Sequence, residues 1–325
     1  MNIAIAATLL LIGCQDGEKE NKTAEKQTQS KREISTNSIE GLTQAIKQDT
    51  ANADLYHKRA RMHYENTAYN KALSDIGDAI RLEPDRDKHL ILLSEIYEGM
   101  NKFKDAKEVL ERVADRNQKN LEANLKLSRL ELAYKNYQQA IIRANRALDI
   151  EPENAEAYYL KGYVYQEQGD TDKAIDHYMR SVENNPKFHD PYIQLGNIFS
   201  DMNDPRAVDF YNGALNMNPD DVSTLYQLAI YYKEHEKLDK AMNTYRNILA
   251  VDSTHARSYY NMGFLKLVYA EKYDEAIKYF TKAISHEPRF YQAYYNRGYA
   301  YELKEKYQQA RSDYQRSLKL KPCKV

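Results

Sequence analysis

Few residues in this chain are spaced for bond-making chemistry. The stretch His235-Glu236-Lys237-Leu238-Asp239 comes nearest, because two histidines four apart on one helix, with a glutamate between them, can hold zinc and supply a base. Asp239 stands where the second histidine is needed, and the stretch falls on a turn between helices. The eight histidines show no pair at ligand spacing along one helical face. Two cysteines, Cys14 and Cys323, are too few for a disulfide framework or a cysteine metal site, and Cys323 reads as an exposed tail residue. No phosphate-cradling glycine loop, dinucleotide fingerprint or GxSxG elbow occurs. The expectation is a chain with no catalytic residues, no metal and no cofactor.

Binding chemistry is better represented. The chain has 29 tyrosines and no tryptophan. Side-chain amides recur at Gln194, Gln227, Asn261 and Asn296, and Tyr226, Tyr260 and Tyr295 precede three of them. An amide both donates and accepts, so a ladder of four suits the backbone of an extended peptide, with flanking rings taking its side chains. Nucleic acid is not an expected partner, since 47 basic and 48 acidic residues leave no global field to attract it.

These residues recur because the chain does. Ala155 to Phe188 is a unit repeated in blurred form, with full copies at 53–86, 87–120, 121–154, 155–188, 189–221, 222–255, 256–290 and 291–325. Each copy alternates two amphipathic segments, and with only 11 glycines and 8 prolines the class is all-α. A period near 34 residues marks a solenoid of helix pairs. Residues 35–52, with Leu42, Ala45 and Ile46 on one face, match the second half of the unit and form an N-terminal capping helix.

Certain positions agree across the copies. The fourth is large at Tyr56, Leu90, Tyr158, Tyr192, Leu225, Tyr259 and Tyr294; the eighth is small at Ala60, Ser94, Ser128, Gly162, Gly196, Ala229, Gly263 and Gly298. An alanine opens the second helix's contact face in all eight, among them Ala140, Ala174 and Ala310, and six of the prolines close the last turn. The small residue and the alanine are expected to face each other where the two helices cross. This pattern resembles the tetratricopeptide repeat, which implies a right-handed superhelical solenoid of eight helix-turn-helix repeats plus the half-repeat helix.

The resemblance also implies a groove lined by the first helix of each pair. On this chain it selects Tyr159, Tyr163, Gln194, Asn197, Tyr226, Gln227, Tyr260, Asn261, Phe264, Tyr295, Asn296 and Tyr299 as partner-binding residues. The lysine and asparagine pattern of the carboxylate-clamp subfamily is not matched, because Ile193, Tyr226 and Tyr260 stand where its lysine would be. Arg311 replaces an apolar residue in the last repeat, and Leu318 and Leu320 leave an apolar edge there, which suggests weak self-association through that end.

Ahead of the repeats, Ile3 to Ile12 is an apolar run too short to span a bilayer. Leu11-Ile12-Gly13-Cys14 resembles the lipobox of bacterial lipoproteins, implying a signal peptide over 1–13 and a lipid (palmitate among its acyl chains) on Cys14. Residues 14–34 read as a disordered polar tether. Gln15 is not the aspartate of inner-membrane retention, which points to the outer membrane. Asp16, Glu18 and Glu20 resemble the surface-export signal of some Bacteroidota lipoproteins and equally suit an ordinary linker, so the membrane face stays open. The functional expectation is a non-enzymatic adaptor on the bacterial envelope that binds an extended peptide or partner protein. A carbohydrate or peptidoglycan binder is the alternative, because stacked tyrosines with amides also suit sugars.

Overall fold

The computed structural model describes residues 36–321, so Cys14, the segment before it, the tether and Cys323 lie outside the described residues. Among the described residues there are 17 helices and no strand. The chain forms two compact units, one ending at Val113 and one beginning at Ala114. The first holds α1 (Ile39–Gln48), α2 (Ala53–Glu65), α3 (Tyr69–Leu82), α4 (Asp87–Gly99) and most of α5 (Phe103–Arg116). The second holds α6 (Leu121–Ala133), α7 (Tyr137–Ile150), α8 (Ala155–Glu167), α9 (Thr171–Asn184), α10 (His189–Asp201) and α11 (Arg206–Met217). It continues through α12 (Val222–Glu234), α13 (Leu238–Val251), α14 (Ala256–Val268), α15 (Tyr273–His286), α16 (Tyr291–Leu303) and α17 (Tyr307–Leu320). No helix among the described residues is long and apolar enough to cross a membrane.

Seven of the eight pairs are closed by the same turn, and in the seventh pair the turn is one residue longer, with Lys272 N–H donating to the Lys266 carbonyl. The helix preceding it ends with one residue at positive φ: Thr67, Asn101, Lys135, Gly169, Asn203, Glu236, Glu271 or Glu305. In the first pair, Ala68 N–H donates to the His63 carbonyl (2.8 Å) and Thr67 N–H to Tyr64 (2.9 Å). That crossed arrangement satisfies carbonyls the ending helix would otherwise orphan, and it turns the chain into the second helix. The shortest second helix, α11, starts at Arg206 after Asp204-Pro205, where the Asp204 carboxylate accepts from the Arg206 N–H at 2.9 Å.

Small residues let paired helices approach. Ser128 Oγ donates to the Ala140 carbonyl at 2.8 Å, and a Cβ on Gly298 would meet the Ala310 carbonyl at 3.2 Å, so the eighth residue does face the alanine turn. A closer neighbour is a ring. A Cβ on Gly162 would lie 2.7 Å from Tyr178, one on Gly196 2.6 Å from Tyr211, and one on Gly263 2.8 Å from Phe280. Glycine is used in four of the five repeats whose second helix carries a large aromatic there, and the fifth sets Ala229 in register with Tyr245. Tyr178, Tyr211 and Phe280 are fully buried as a result, in contact networks with Leu195, Ile198, Phe199 and Ala276.

The first and last full repeats add a polar pair one position before this packing on each helix. The Arg59 guanidinium donates twice to Asp75 (2.7 and 2.6 Å) and once to Thr43 Oγ1 (3.0 Å). Arg297 does the same with Asp313 (2.7 and 2.8 Å) and Thr281 (3.1 Å). Both arginines lie seventh in their repeats, a place held by Leu93, Leu127, Leu195, Leu228 and Met262 in five of the other six.

Candidate functional site

The sequence-selected residues all lie in the second unit, on the first helices of successive pairs. They divide into residues locked by the next repeat and residues left open. Tyr159 is held edge-on by Phe188 (5.2 Å between centroids), Tyr226 edge-on by His255 (5.4 Å), and Tyr260 by Phe290 at 4.9 Å. Each wall comes from the loop 29 or 30 residues further on. Burial pushes the Tyr159 hydroxyl up to about 12 and raises that of Tyr260, where the Asn296 amide works in the opposite direction. Both phenols are neutral hydrogen-bonding groups at physiological pH.

The amides behave differently from the expected ladder. Asn261 donates Nδ2–H to the Tyr226 hydroxyl (3.1 Å), and Asn296 donates to Tyr260 at 2.9 Å. Asn197 accepts from Tyr211 at 2.9 Å. Asn261 is only 5% exposed, so its expected role facing a ligand is corrected: it ties one repeat to the preceding one. The physical reason is that a half-buried phenol needs a partner, and the next repeat's sixth residue is the nearest amide. Gln194 and Asn296 are half-buried, and Gln227 is exposed. Phe264 is half-buried against Tyr269 at 6.4 Å.

Tyr163, Tyr295 and Tyr299 are exposed, Tyr295 by 57%. Two clefts adjoin these rings. One of about 550 Å³ is lined by Arg129, Leu132, Tyr159, Tyr163 and Phe188. The other, about 670 Å³, is lined by Tyr291, Tyr295, Asn296, Tyr314 and Leu318. Leu318 is 72% exposed and Arg311 is exposed, so the apolar edge expected at the end of α17 is present. Aromatic walls with a few hydrogen-bonding groups can grip side chains and carbonyls.

His235 is occupied structurally, its Nδ1 facing the Tyr231 carbonyl at 2.8 Å and its ring stacked on Tyr231 at 3.9 Å. Glu236 is the positive-φ turn residue. One constellation escaped the reading of single helical faces. In the first unit, His57 on α2 and His89 on α4 bring their Nδ1 atoms within 3.0 Å, beside Glu83 and Asp54. The usable signal is a fifth residue paired with the third residue of the following repeat, 32 positions on.

Tetratricopeptide-repeat family models match residues 91–150, 155–188 and 261–322. The chain is a tetratricopeptide-repeat protein. The tetratricopeptide array is similar to the DnaJ homolog subfamily C member 7 homolog of Schizosaccharomyces pombe, 25% identical over 254 residues that cover 67% of this chain and 53% of that protein. The chain thus spans about half of that relative, and smaller shares, 17% and 35%, of the human O-mannosyl-transferase TMTC1 and TOM70. Among solved folds, a tetratricopeptide repeat protein from Parabacteroides merdae is 19% identical with a TM-score of 0.51, over 80% of this chain and 98% of that one. YrrB, described as having an unusual peptide-binding site, is 22% identical with a TM-score of 0.50 over 57% of this chain and 96% of its own.

Proposed function

We propose that this tetratricopeptide scaffold is a non-enzymatic adaptor that takes an extended segment of a partner protein across the first-helix face of its second unit. The observation that carries the reading is the division among its tyrosines: Tyr159, Tyr226 and Tyr260 are fixed by neighbouring rings, while Tyr163 on α8 and Tyr295 and Tyr299 on α16 stay exposed. Fixed rings give a preorganised wall, and exposed ones supply contact area at low entropic cost. The peptide-binding site named for YrrB is a use of the same fold that agrees with this reading. The test is capture of envelope proteins by the lipid-free body, followed by peptide mapping of what is captured. Tyr295→Ala with Tyr299→Ala should weaken the mapped peptide at least tenfold with circular dichroism unchanged. Undiminished binding, or binding of glycan fragments in place of peptide, would sink the assignment.

The lipobox-like Leu11-Ile12-Gly13-Cys14 supports a lipid anchor at Cys14 in the bacterial outer membrane. Labelling with an alkynyl palmitate should mark the wild type, and Cys14→Ser should lose the label and leave the membrane fraction. Exposed Leu318 beside the cleft between α16 and α17 supports weak association with a second copy through this end. Light scattering at high concentration should then show a mass above the monomer that Leu318→Glu abolishes.

A further inference from the structure

We propose that the cleft bounded by Tyr159, Tyr163 and Phe188 receives a basic side chain, arginine before lysine, so that the segment bound by this face is positively charged. The proposal rests on the peptide reading above and adds the partner's sign to it. Tyr159 forms a corner with its neighbours: Phe188 meets it edge-on at 5.2 Å between centroids, and Tyr163 is tilted from it by 53° at 6.5 Å. The face of an aromatic ring is its negative side, and a cation within about 6 Å of the centroid is attracted to it. All three rings line one opening of about 550 Å³.

Other rings of α8 already have their cations. Arg180 lies over Tyr158 at 5.8 Å and Lys173 over Tyr165 at 5.2 Å, both reaching from α9. Among the described residues no cation stands over Tyr159, Tyr163 or Phe188. Arg129 is the one base lining their cleft, and Glu156 holds it in an ion pair. The cleft therefore offers ring faces without the charge that suits them.

What surrounds the rings is acidic. Asp190 lines the same cleft from the first turn of α10, where it is exposed. Its ion-pair neighbour is the His189 ring (Nδ1 at 3.5 Å), a contact that carries charge only when the imidazole is protonated. Its carboxylate is close enough to Tyr159 to add to burial in raising that phenol. A second opening of about 410 Å³ shares Glu156 and Phe188 and adds Glu151 and Glu153. The two openings are thus lined by four carboxylates and one guanidinium, in a chain whose totals balance at 48 acidic and 47 basic residues. Lys187, next to Phe188 in the chain, lines neither. A guanidinium suits this setting better than an ammonium, because its plane stacks on a ring while its edge forks onto a carboxylate.

The test is fluorescence anisotropy of three short labelled peptides, alternating alanine with arginine, lysine or glutamate, titrated with the full chain. The arginine peptide should bind, the lysine peptide more weakly and the glutamate peptide not at all; salt raised from about 0.05 to about 0.5 M should weaken the first two. Asp190→Lys should lower the affinity for the arginine peptide at least about tenfold, since a like charge then faces it, and Tyr163→Ala should lower it too. Arg129→Ala should tighten binding, because it frees Glu156. Asp172→Lys makes the same change of net charge in the exposed first turn of α9, outside both clefts, and should alter nothing. Circular dichroism checks the fold of each variant. The proposal is overturned if the wild type does not bind the arginine peptide, if the glutamate peptide binds as tightly, or if Asp190→Lys and Asp172→Lys have equal affinities. Alanine in place of every arginine and lysine of the mapped envelope segment separates the two readings. Unchanged binding ends this inference and leaves the peptide reading intact, whereas capture of glycan in place of peptide, with the arginine peptide still bound through Asp190, ends the peptide reading alone.

Discussion

A methyl group at Gly162 would sit 2.7 Å from the Tyr178 ring, which is fully buried and hydrogen-bonded through its hydroxyl to Gln166 at 2.6 Å. The ring cannot swing away, so Gly162→Ala should cost about 1–3 kcal/mol, read from the urea midpoint. Ala60 and Ser94 stand in register with smaller residues, Ile76 and Leu110, whereas Ala229 stands in register with the buried Tyr245. Gly162→Ala combined with Tyr178→Leu should therefore lose less than the sum of the two single changes; strict additivity would show that the ring is not the obstacle. The sequence makes the small eighth residue visible, because eight copies share it. That its nearest neighbour is a ring in the second helix is a matter of side-chain direction, which a count of small residues does not carry. The same holds for Asn261 and Asn296: their alignment is readable, but whether they meet a ligand or Tyr226 and Tyr260 depends on contact across some 35 residues.

Helix ends show the reverse balance. Prolines closing the second helices, such as Pro152 and Pro186, are plain in the sequence, and α7 and α9 do end two residues before them. The turns inside the pairs are hidden, since of eight positive-φ residues only Gly169 is glycine. Thr67 at φ 56° is the most strained, being β-branched in a left-handed conformation. Thr67→Gly should raise stability by about 0.5–1 kcal/mol and Gly169→Ala should lower it by about 1 kcal/mol, both measured by urea unfolding. If the two substitutions shift the midpoint in the same direction, backbone conformation is not what governs these turns.

Repeats stabilise one another through their neighbours, so one buried titration can be felt by the folded molecule as a whole. His177 lies between Tyr165 (5.2 Å) and Tyr158 (6.1 Å), and burial, reinforced by Lys161, holds it down to about 4. An unfolded histidine titrates near 6.5. Between those values the unfolded chain binds the extra proton, so stability is lost as pH falls from about 6.5 toward 4. His177→Phe should flatten the decline in melting temperature across that window; parallel curves for mutant and wild type would rule His177 out as a source. The paired ends of the array carry a different consequence. Because Arg59 with Asp75 finds Thr43 in the preceding helix, and Arg297 with Asp313 finds Thr281 in the same register, the first and last full repeats have matching plugs and sockets. Residues 291–321 grafted in place of the first repeat would find a threonine waiting for their arginine, whereas in five of the six interior slots that arginine would displace a leucine or methionine. The chain is thus built of two kinds of interchangeable part, and recombination can exchange repeats within each kind more readily than between them.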